Sequence, residues 1–468
     1  MKPWKSALYI AAVLGLTGLS LFLVPEDGAE VMGIRLHNPL LSFFHEGVKH
    51  PSGGVRMPVL SAASEARRAP AAASLTLADT LLRSVPSLEM ADSTRWLLYA
   101  LLRDLDSLRR RRTSLHILYY GDSQIEGDRI TAVLRDTLQR RFGGGGPGFL
   151  LPVMTVPYTS TFVTDPSPGW TAVHNYAHPD GRQGPFPFGI AGSFSLAADT
   201  LLPAGQRTVS CRLALHASAP ATARQVRRLT LALYPGGRPP RLTLLMPSGR
   251  ELTPAMQEQP GLQWVEAPWP AGERRLTLTL TFHDPVAVEA LFLTDTVGVS
   301  VDNIPLRGRP FMLFTHCDSV TLRAMYEHLR VRMVVLQFGL NVAVGSSYDV
   351  EHYRHTLERE LAWLRTTFPR LFVLVVGVTD MGGDDPGLPE RLQRLRHIQR
   401  EISLATGCAY WDAELAMGGP GAMRRWAAHD PPWARPDQVH FSREGARLFA
   451  EMLLRALMED YQEYSHGL

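Results

Sequence analysis

The stretch SLHILYYGDSQIEGDRITAVLRDTLQRRF, residues 114–142, decides the fold. An apolar run of β-forming residues comes first, a polar turn follows, and an amphipathic helical pattern completes the stretch. A strand, a turn and a helix in this order indicate an α/β layer fold. Ser123 lies in the turn, just after the predicted strand, and the carboxyl ends of parallel strands are where α/β proteins hold their ligands.

The turn allows two interpretations of Ser123. A serine at a strand end, in front of a helix whose first backbone N–H groups are free, suits a nucleophile, because those groups favour developing negative charge. Serine and aspartate are also preferred N-cap residues, so Ser123 and Asp128 would equally well serve only to cap the helix. The turn alone does not decide between the two.

The α/β pattern is interrupted and then resumes. Over residues 158–300, short stretches alternate apolar and polar residues and are separated by Pro-Gly, Gly-Gly and Ser-Gly turns, which predicts an antiparallel sandwich or barrel. Wholly apolar strands and amphipathic helices return afterwards. The predicted fold class is therefore α/β, a doubly wound parallel sheet built from residues 76–157 and 301–468 and interrupted by an all-β, sandwich-like insertion.

The N-terminus predicts a location. Lys2 and Lys5 precede ALYIAAVLGLTGLSLFLV, residues 7–24, which contains no charged residue and lies between a signal-peptide core and a membrane span in length. No Ala-x-Ala cleavage site follows it. We therefore expect residues 1–24 to form an uncleaved anchor helix in the inner membrane, followed by a linker over residues 25–75, with the remainder in the periplasm; cleavage would instead make the protein secreted.

The composition excludes several function classes. The formal net charge is only +3 and basic stripes interleaved with aromatic residues are missing, so no nucleic-acid partner is expected. The three cysteines, Cys211, Cys317 and Cys408, form no CxxC pair, which excludes a disulfide framework and a cysteine zinc site. The glycine run over residues 143–148 follows a helix rather than a strand, so it does not predict a dinucleotide loop.

Short motifs elsewhere in the sequence favour the interpretation of Ser123 as a nucleophile. Gly-Asp-Ser ends at Ser123, Gly308 lies in VDNIPLRGRP, Gly-x-Asn ends at Asn341, and Asp437 stands three residues before His440. In this order, and each at the end of a predicted element, they resemble the four blocks of the SGNH (GDSL-type) hydrolases over residues 100–157 and 300–460. One departure concerns the second block, which is usually Ser-Gly or Asn-Gly in the family and is Arg-Gly in this chain.

The resemblance implies roles for these residues. Ser123 would be the nucleophile, His440 its general base and then general acid, and Asp437 the residue that orients the imidazole. The backbone N–H groups of Ser123 and Gly308 and the side-chain amide of Asn341 would form the oxyanion hole. The resemblance implies neither a metal nor any other cofactor.

The details look like a bacterial branch of the family whose relatives include periplasmic peptidoglycan O-acetylesterases with an inserted β-sandwich. The resemblance thus implies a serine esterase that removes O-acetyl groups from a cell-envelope or other polysaccharide through an acyl-enzyme. Two alternatives stay open: an O-acetyltransferase with the same triad, and an inactive glycan-binding protein.

The insertion contains an aromatic and polar segment, GWTAVHNYAHPDGRQGPFPFG, residues 169–189. Trp170 and Tyr176 would stack on sugar rings, while Asn175 and Arg182 would supply hydrogen bonds to an acetylated glycan. The alternative is that these residues pack the insertion onto the hydrolase domain.

Overall fold

The computed structural model describes residues 29–31, 34–36, 76–198, 205–344 and 349–466. The chain divides into two units, residues 1–73 and 74–468. In the first unit, within the predicted linker, strands β1 (Ala29–Val31) and β2 (Ile34–Leu36) pair antiparallel. The predicted anchor helix lies outside the described residues. Within the described ranges, every helix is too short or too polar to cross a bilayer.

The second unit opens with two helices that cover one face of a sheet. Helix α2 (Arg95–Arg111) buries a stripe of leucines, and the residue after it, Arg112, has a φ of 52°, in the left-handed region that stops a helix. The strand that follows is buried along almost its whole length. The elements are α1 (Leu77–Arg83), α2 (Arg95–Arg111), β3 (Ser114–Gly121) and α3 (Thr131–Phe142).

Antiparallel strands come next. In the sheet that contains Arg275–Phe282, side chains alternate between buried and more exposed positions, because that sheet has one face on a core shared with the second sheet. The strands are β4 (Gly148–Leu150), β5 (Phe162–Pro166), β6 (Trp170–His174), β7 (Arg182–Gln183), β8 (Phe186–Pro187), β9 (Ser193–Ala197), β10 (Arg207–Leu215), β11 (Arg228–Pro235), β12 (Arg241–Leu245), β13 (Glu251–Leu252), β14 (Gln263–Pro268), β15 (Arg275–Phe282) and β16 (Val286–Thr294).

These strands form two main sheets. One has the order β13–β12–β15–β10–β5, and the other has the order β14–β11–β16–β9–β6 with β4 also paired to β16. Strand β16 is buried on both faces. Val288 and Leu291 on one face belong to the core shared by the two sheets, whereas Ala290 and Phe292 on the other belong to the core that covers the parallel sheet. The antiparallel region therefore packs against the α/β region through β16.

The remaining elements complete the α/β layers. The parallel sheet has the order β17–β3–β18–β19–β20, with an apolar cluster on each face. The elements are β17 (Gly298–Pro305), α4 (Ser319–His328), β18 (Val331–Gln337), α5 (Leu340–Ala343), α6 (Val350–Thr367), β19 (Phe372–Val376), α7 (Leu388–Ala405), β20 (Ala409–Trp411), α8 (Ala413–Ala416), α9 (Ala422–Ala427) and α10 (Arg443–His466).

The predicted parallel sheet and antiparallel strands are both present, and their limits differ slightly from those expected. Antiparallel pairing begins at Gly148, before residue 158, and the parallel sheet resumes at Gly298, before residue 301. Gly148 is the last residue of the glycine run over residues 143–148. Its φ of 79° and its approach to Asp302, whose carboxylate would lie 2.2 Å from an added Cβ, explain why glycine stands there.

Candidate active site

The site begins where neighbouring parallel strands end together. Gly121 at the end of β3 is in register with Pro305 of β17 and with Gln337 of β18. The backbone N–H of Leu306 donates to the carbonyl of Gly121 at 2.7 Å, which fixes the exit of β17 beside that of β3. Ser123 follows two residues later, so the chain places it at the carboxyl edge of the sheet.

The structure brings the three residues of the predicted triad together. Ser123 Oγ lies 2.8 Å from Nε2 of His440, and Nδ1 of His440 lies 2.9 Å from Oδ2 of Asp437. Both distances are those of hydrogen bonds. If the imidazole is neutral, Nδ1–H donates to the carboxylate, and Nε2 is left as the acceptor for the serine hydroxyl. This is the arrangement that a general base requires.

The second oxygen of Asp437 holds the loop that carries His440. Oδ1 accepts the backbone N–H groups of Val439 at 2.9 Å and of His440 at 3.0 Å. Burial raises the pKa of Asp437, but the hydrogen bonds from the backbone and ring of His440 and from Val439 outweigh it, and the pKa lies below its ordinary value. The carboxylate is therefore ionised at neutral pH, as an acceptor of the imidazole N–H must be.

Ser123 does not cap a helix in this structure. The residue that caps the short 3-10 segment Ser123–Asp128 is Asp122, whose side chain accepts the backbone N–H of Gln124 at 3.0 Å. Helix α3 begins later and has no side-chain cap at Ile130. The capping interpretation of Ser123 and Asp128 is thus wrong, because the Ser123 hydroxyl bonds His440 and the Asp128 carboxylate bonds a buried arginine, Arg135.

The two other predicted oxyanion-hole residues, Gly308 and Asn341, lie on segments that a hydrogen bond connects. Gly308 is exposed in the turn after β17, and its φ of 72° accounts for glycine at that position. Asn341 stands in the first turn of α5, directly after a strand end. Its side-chain amide donates to the carbonyl of Arg309 at 3.2 Å, which ties Asn341 to the residue next to Gly308.

Arg307, the departure from the family pattern, has a partner beside the nucleophile. Its guanidinium forms a two-point ion pair with Glu126, with Nη2 lying 2.6 Å from Oε2 and Nε on Oε1. The Glu126 side chain is buried, and the hydrogen bonds with it raise the pKa of Arg307. This pair ties the loop of Gly308 to the segment that follows Ser123.

Two further side chains, Gln124 and Arg129, contact the residues on either side of His440. Gln124 donates its amide to the carbonyl of Val439, the residue before His440. Arg129 donates to the carbonyl of Phe441, the residue after it, at 3.3 Å and to the carbonyl of Ser123 at 2.8 Å. Nothing in the local sequence marks the contacts with Val439 and Phe441, because these partners lie more than 300 residues from Gln124 and Arg129 in the chain.

A buried carboxyl group lies directly next to the serine. Asp122 is 1% exposed, and burial raises its pKa to about 7, against the hydrogen bond from the Gln124 backbone and with a contribution from Glu126. The side chain borders a cavity of about 10 Å³, the size of one water molecule, together with Gln337 and Thr379. We therefore expect the Asp122 carboxyl group to titrate close to neutral pH.

The four residues predicted to contact a glycan lie in different environments. Tyr176 is 63% exposed and Arg182 is exposed, with its guanidinium 3.0 Å from the carboxylate of Asp318. Trp170 is half-buried and donates its ring N–H to the carbonyl of Ser210 at 2.9 Å. Tyr176 and Arg182 are thus accessible to a ligand, and Trp170 only in part.

Asn175 differs from the expectation. It is 0% exposed, its amide nitrogen donates to the carbonyl of Leu313 at 2.9 Å, and its oxygen accepts from Arg309 at 2.7 Å. A side chain that is enclosed and hydrogen-bonded in this way has no surface to offer a sugar. For Asn175, the packing alternative describes what the structure shows.

Among the described residues, no group of three or more His, Cys, Asp and Glu side chains is arranged to hold a metal ion. The three cysteines are buried and unpaired. Burial raises the pKa of the Cys211 thiol to about 12 and that of Cys408 to about 11, which makes them inert at neutral pH.

Comparison with known proteins finds a solved structure with a similar fold. The structure of a peptidoglycan O-acetylesterase matches with a TM-score of 0.59 and 20% identity, covering 78% of this chain and 96% of that chain. Two family two carbohydrate esterases also match. The one from Cellvibrio japonicus has a TM-score of 0.26 and 10% identity, covering 64% of this chain and 99% of that chain, and the one from Clostridium thermocellum has a TM-score of 0.25 and 12% identity, covering 57% of this chain and 97% of that chain. Both TM-scores are too low to support an argument.

No protein-family model and no curated protein sequence matches the chain. At 20% identity, the likeness to the O-acetylesterase structure concerns the fold and not the activity. The parallel sheet, the interrupting antiparallel sheets and this likeness together confirm the predicted SGNH-type fold. The chain therefore has the SGNH-type fold of a known peptidoglycan O-acetylesterase.

Proposed function

We propose that this protein is a serine esterase that removes O-acetyl groups from a cell-envelope or other polysaccharide. The observation that carries the proposal is the continuous hydrogen-bonded chain from Ser123 through His440 to Asp437, with distances of 2.8 and 2.9 Å. A neutral serine is a poor nucleophile, and a base held at this distance is what activates it. The shared fold with a peptidoglycan O-acetylesterase supports the choice of acetylated glycan as substrate.

The geometry supports a two-step reaction. His440 Nε2 takes the proton from Ser123 Oγ as the oxygen attacks the acetyl carbonyl carbon, and the N–H groups of Ser123 and Gly308 with the amide of Asn341 stabilise the oxyanion. His440 then gives that proton to the departing sugar oxygen, leaving Ser123 acetylated. A water molecule, deprotonated by His440, attacks the acetyl-enzyme and releases acetate, and the proton returns to Ser123.

The proposal includes a periplasmic location for the hydrolase. An anchor formed by residues 1–24 would keep the hydrolase in the periplasm close to the cell wall, and the support for it is the uncharged run over residues 7–24 behind two lysines. Exposed Tyr176 and Arg182 in the insertion offer an aromatic face and a cation to a polymeric glycan.

Acetate release tests the function. The full chain is incubated with O-acetylated peptidoglycan and with acetylated xylan, and free acetate is measured against the Ser123→Ala variant prepared in the same way. The proposal expects release by the wild type alone. An unacetylated acceptor glycan is added in a parallel reaction, and transfer of acetyl groups to it at the expense of free acetate would favour the acetyltransferase. Absence of both release and transfer, with an unreactive Ser123, would favour an inactive glycan-binding protein.

A further inference from the structure

The antiparallel insertion forms hydrogen bonds with the loop that follows β17. This loop, residues 306–318, carries Gly308, and Asn175 contacts it at two well-formed hydrogen bonds. Arg309 donates from Nη1 to Oδ1 of Asn175 at 2.7 Å, and Nδ2 of Asn175 donates to the carbonyl of Leu313 at 2.9 Å. An amide supplies the acceptor and the donor that these two partners need, which explains why asparagine occupies the position.

Arg309 also contacts Asn341, the predicted oxyanion-hole amide. The carbonyl of Arg309 accepts the side-chain amide of Asn341 at 3.2 Å. The guanidinium of Arg309 is half-buried and lies 5.2 Å from the ring centroid of Tyr176, so the insertion also covers it with an aromatic face. Asn175, Arg309 and Asn341 thus form one chain of contacts from the insertion to the oxyanion-hole amide.

The surroundings of Asn175 leave it little freedom. Its backbone N–H donates to the carbonyl of Gly192 at 2.9 Å, and a Cβ at Gly192 would lie 2.8 Å from its amide nitrogen. Because Asn175 is enclosed, water cannot replace a hydrogen bond that it loses, and an unsatisfied partner is costly. The insertion therefore fixes the position of Arg309 rather than merely lying beside it.

We propose that Asn175 and Arg309 are positioning residues for the oxyanion hole, which makes the insertion part of the catalytic apparatus as well as a surface for glycan. The catalytic part of this inference rests on the proposed function. A displaced Asn341 amide or Gly308 N–H would stabilise the oxyanion less while binding the neutral ester as before. The defect should therefore appear in kcat rather than in KM.

The test compares Asn175→Ala and Arg309→Met with a matched control, Tyr234→Phe. Tyr234 makes another hydrogen bond across the same junction, with Thr321 Oγ1 at 2.9 Å, and Thr321 lies on α4 rather than in the loop of Gly308. Each protein is assayed on an aryl acetate, with active molecules counted by covalent labelling of Ser123 with a fluorophosphonate. We expect kcat per labelled molecule to fall about ten- to a hundredfold in the first two variants, with KM within about twofold. The control should match the wild type.

Two further measurements exclude a general loss of structure. The affinity of an arylboronic acid, whose tetrahedral adduct places an oxygen in the oxyanion hole, should fall by the same factor as kcat. Hydrogen exchange should be faster over residues 306–316 in both variants, while residues 119–129 keep the wild-type rate. Variants with unchanged kcat, or with losses equal to that of Tyr234→Phe, would overturn the inference.

Failure of the proposed function gives a different pattern. In that case the wild type neither hydrolyses the aryl acetate nor reacts at Ser123. The positioning role of Asn175 is then judged by hydrogen exchange alone, since the contacts with Arg309 and Leu313 do not depend on any reaction. Unchanged exchange over residues 306–316 would disprove it.

Discussion

Asp437 holds His440 at two points: Oδ2 lies 2.9 Å from the ring Nδ1, and Oδ1 accepts the backbone N–H of the same residue at 3.0 Å. One carboxylate thus fixes both the tautomer of the imidazole and the backbone from which it projects. Because Oδ1 also accepts from Val439, the three-residue spacing of Asp-x-x-His closes a small turn. The orientation of Nε2 toward Ser123 follows from this turn.

Replacing the nucleophile should abolish turnover and leave the fold intact. For Ser123→Ala we expect kcat on an aryl acetate to fall about a thousandfold or more, because the attacking oxygen is removed. The unfolding midpoint in urea should change little, since the hydroxyl bonds only the half-exposed His440. A variant that retains most of its activity would show that Ser123 is not the nucleophile.

Arg129 should affect the rate through His440. Arg129→Met removes the donors to the carbonyls of Ser123 and Phe441, so the nucleophile and base lose a common support. We expect kcat on an aryl acetate to fall about ten- to a hundredfold with KM nearly constant. Arg447→Ala, which removes an exposed ion pair with Glu451 on α10, is the control and should be neutral. A purely structural role would reduce the fraction of molecules labelled at Ser123 and leave kcat per labelled molecule unchanged.

Asp122 should make stability depend on pH. The unfolded chain releases this proton near pH 4, whereas the folded protein keeps it until about pH 7. Between these values the folded state binds more protons, so the free energy of unfolding falls as pH rises. Asp122→Asn keeps the acceptor for the Gln124 N–H but cannot titrate. Its free energy of unfolding, measured relative to that of the wild type, should therefore rise by about 2 kcal/mol from pH 5 to pH 8.

Urea unfolding of both proteins at the two pH values measures this gain. Other titrating groups contribute equally to both proteins and cancel in the difference. A difference between Asp122→Asn and wild type that is the same at pH 5 and pH 8 would show that Asp122 has an ordinary pKa in the folded protein.

The buried ion pair between Arg135 and Asp128 should contribute more to the free energy of unfolding than an exposed pair on the same helix. Arg135 is 1% exposed and donates to both carboxylate oxygens of Asp128, at 2.7 and 2.9 Å. Arg135→Met leaves a buried carboxylate without its cation, and we expect the free energy of unfolding to fall by about 3–5 kcal/mol. Arg140→Ala on the same helix removes an exposed pair with Asp136 and should cost at most about 1 kcal/mol. Equal effects of the two variants in urea unfolding would contradict the prediction.

The sequence predicted the layers well because its periodicities are local. Apolar strands, amphipathic helices and period-two alternation result from which faces of each element are buried, and each is visible within a short window. The boundary at Gly148 does not follow from the sequence, because β4 begins inside the glycine run and its three residues are too few to show a periodicity; the strand is defined by its pairing with β16. Ser123, Asp437 and His440 were found because their blocks resemble a family pattern.

The environments of individual side chains were decided only by the tertiary structure. From the sequence, Asn175 and Arg182 were equivalent polar residues of one segment, yet the fold encloses the first among Leu313, Cys317 and Arg309 and leaves the second in solvent. The difference arises from contacts between residues more than 130 positions apart. A local pattern determines which residue types are available to the site, whereas burial and hydrogen bonding between distant segments determine which of them a ligand can reach.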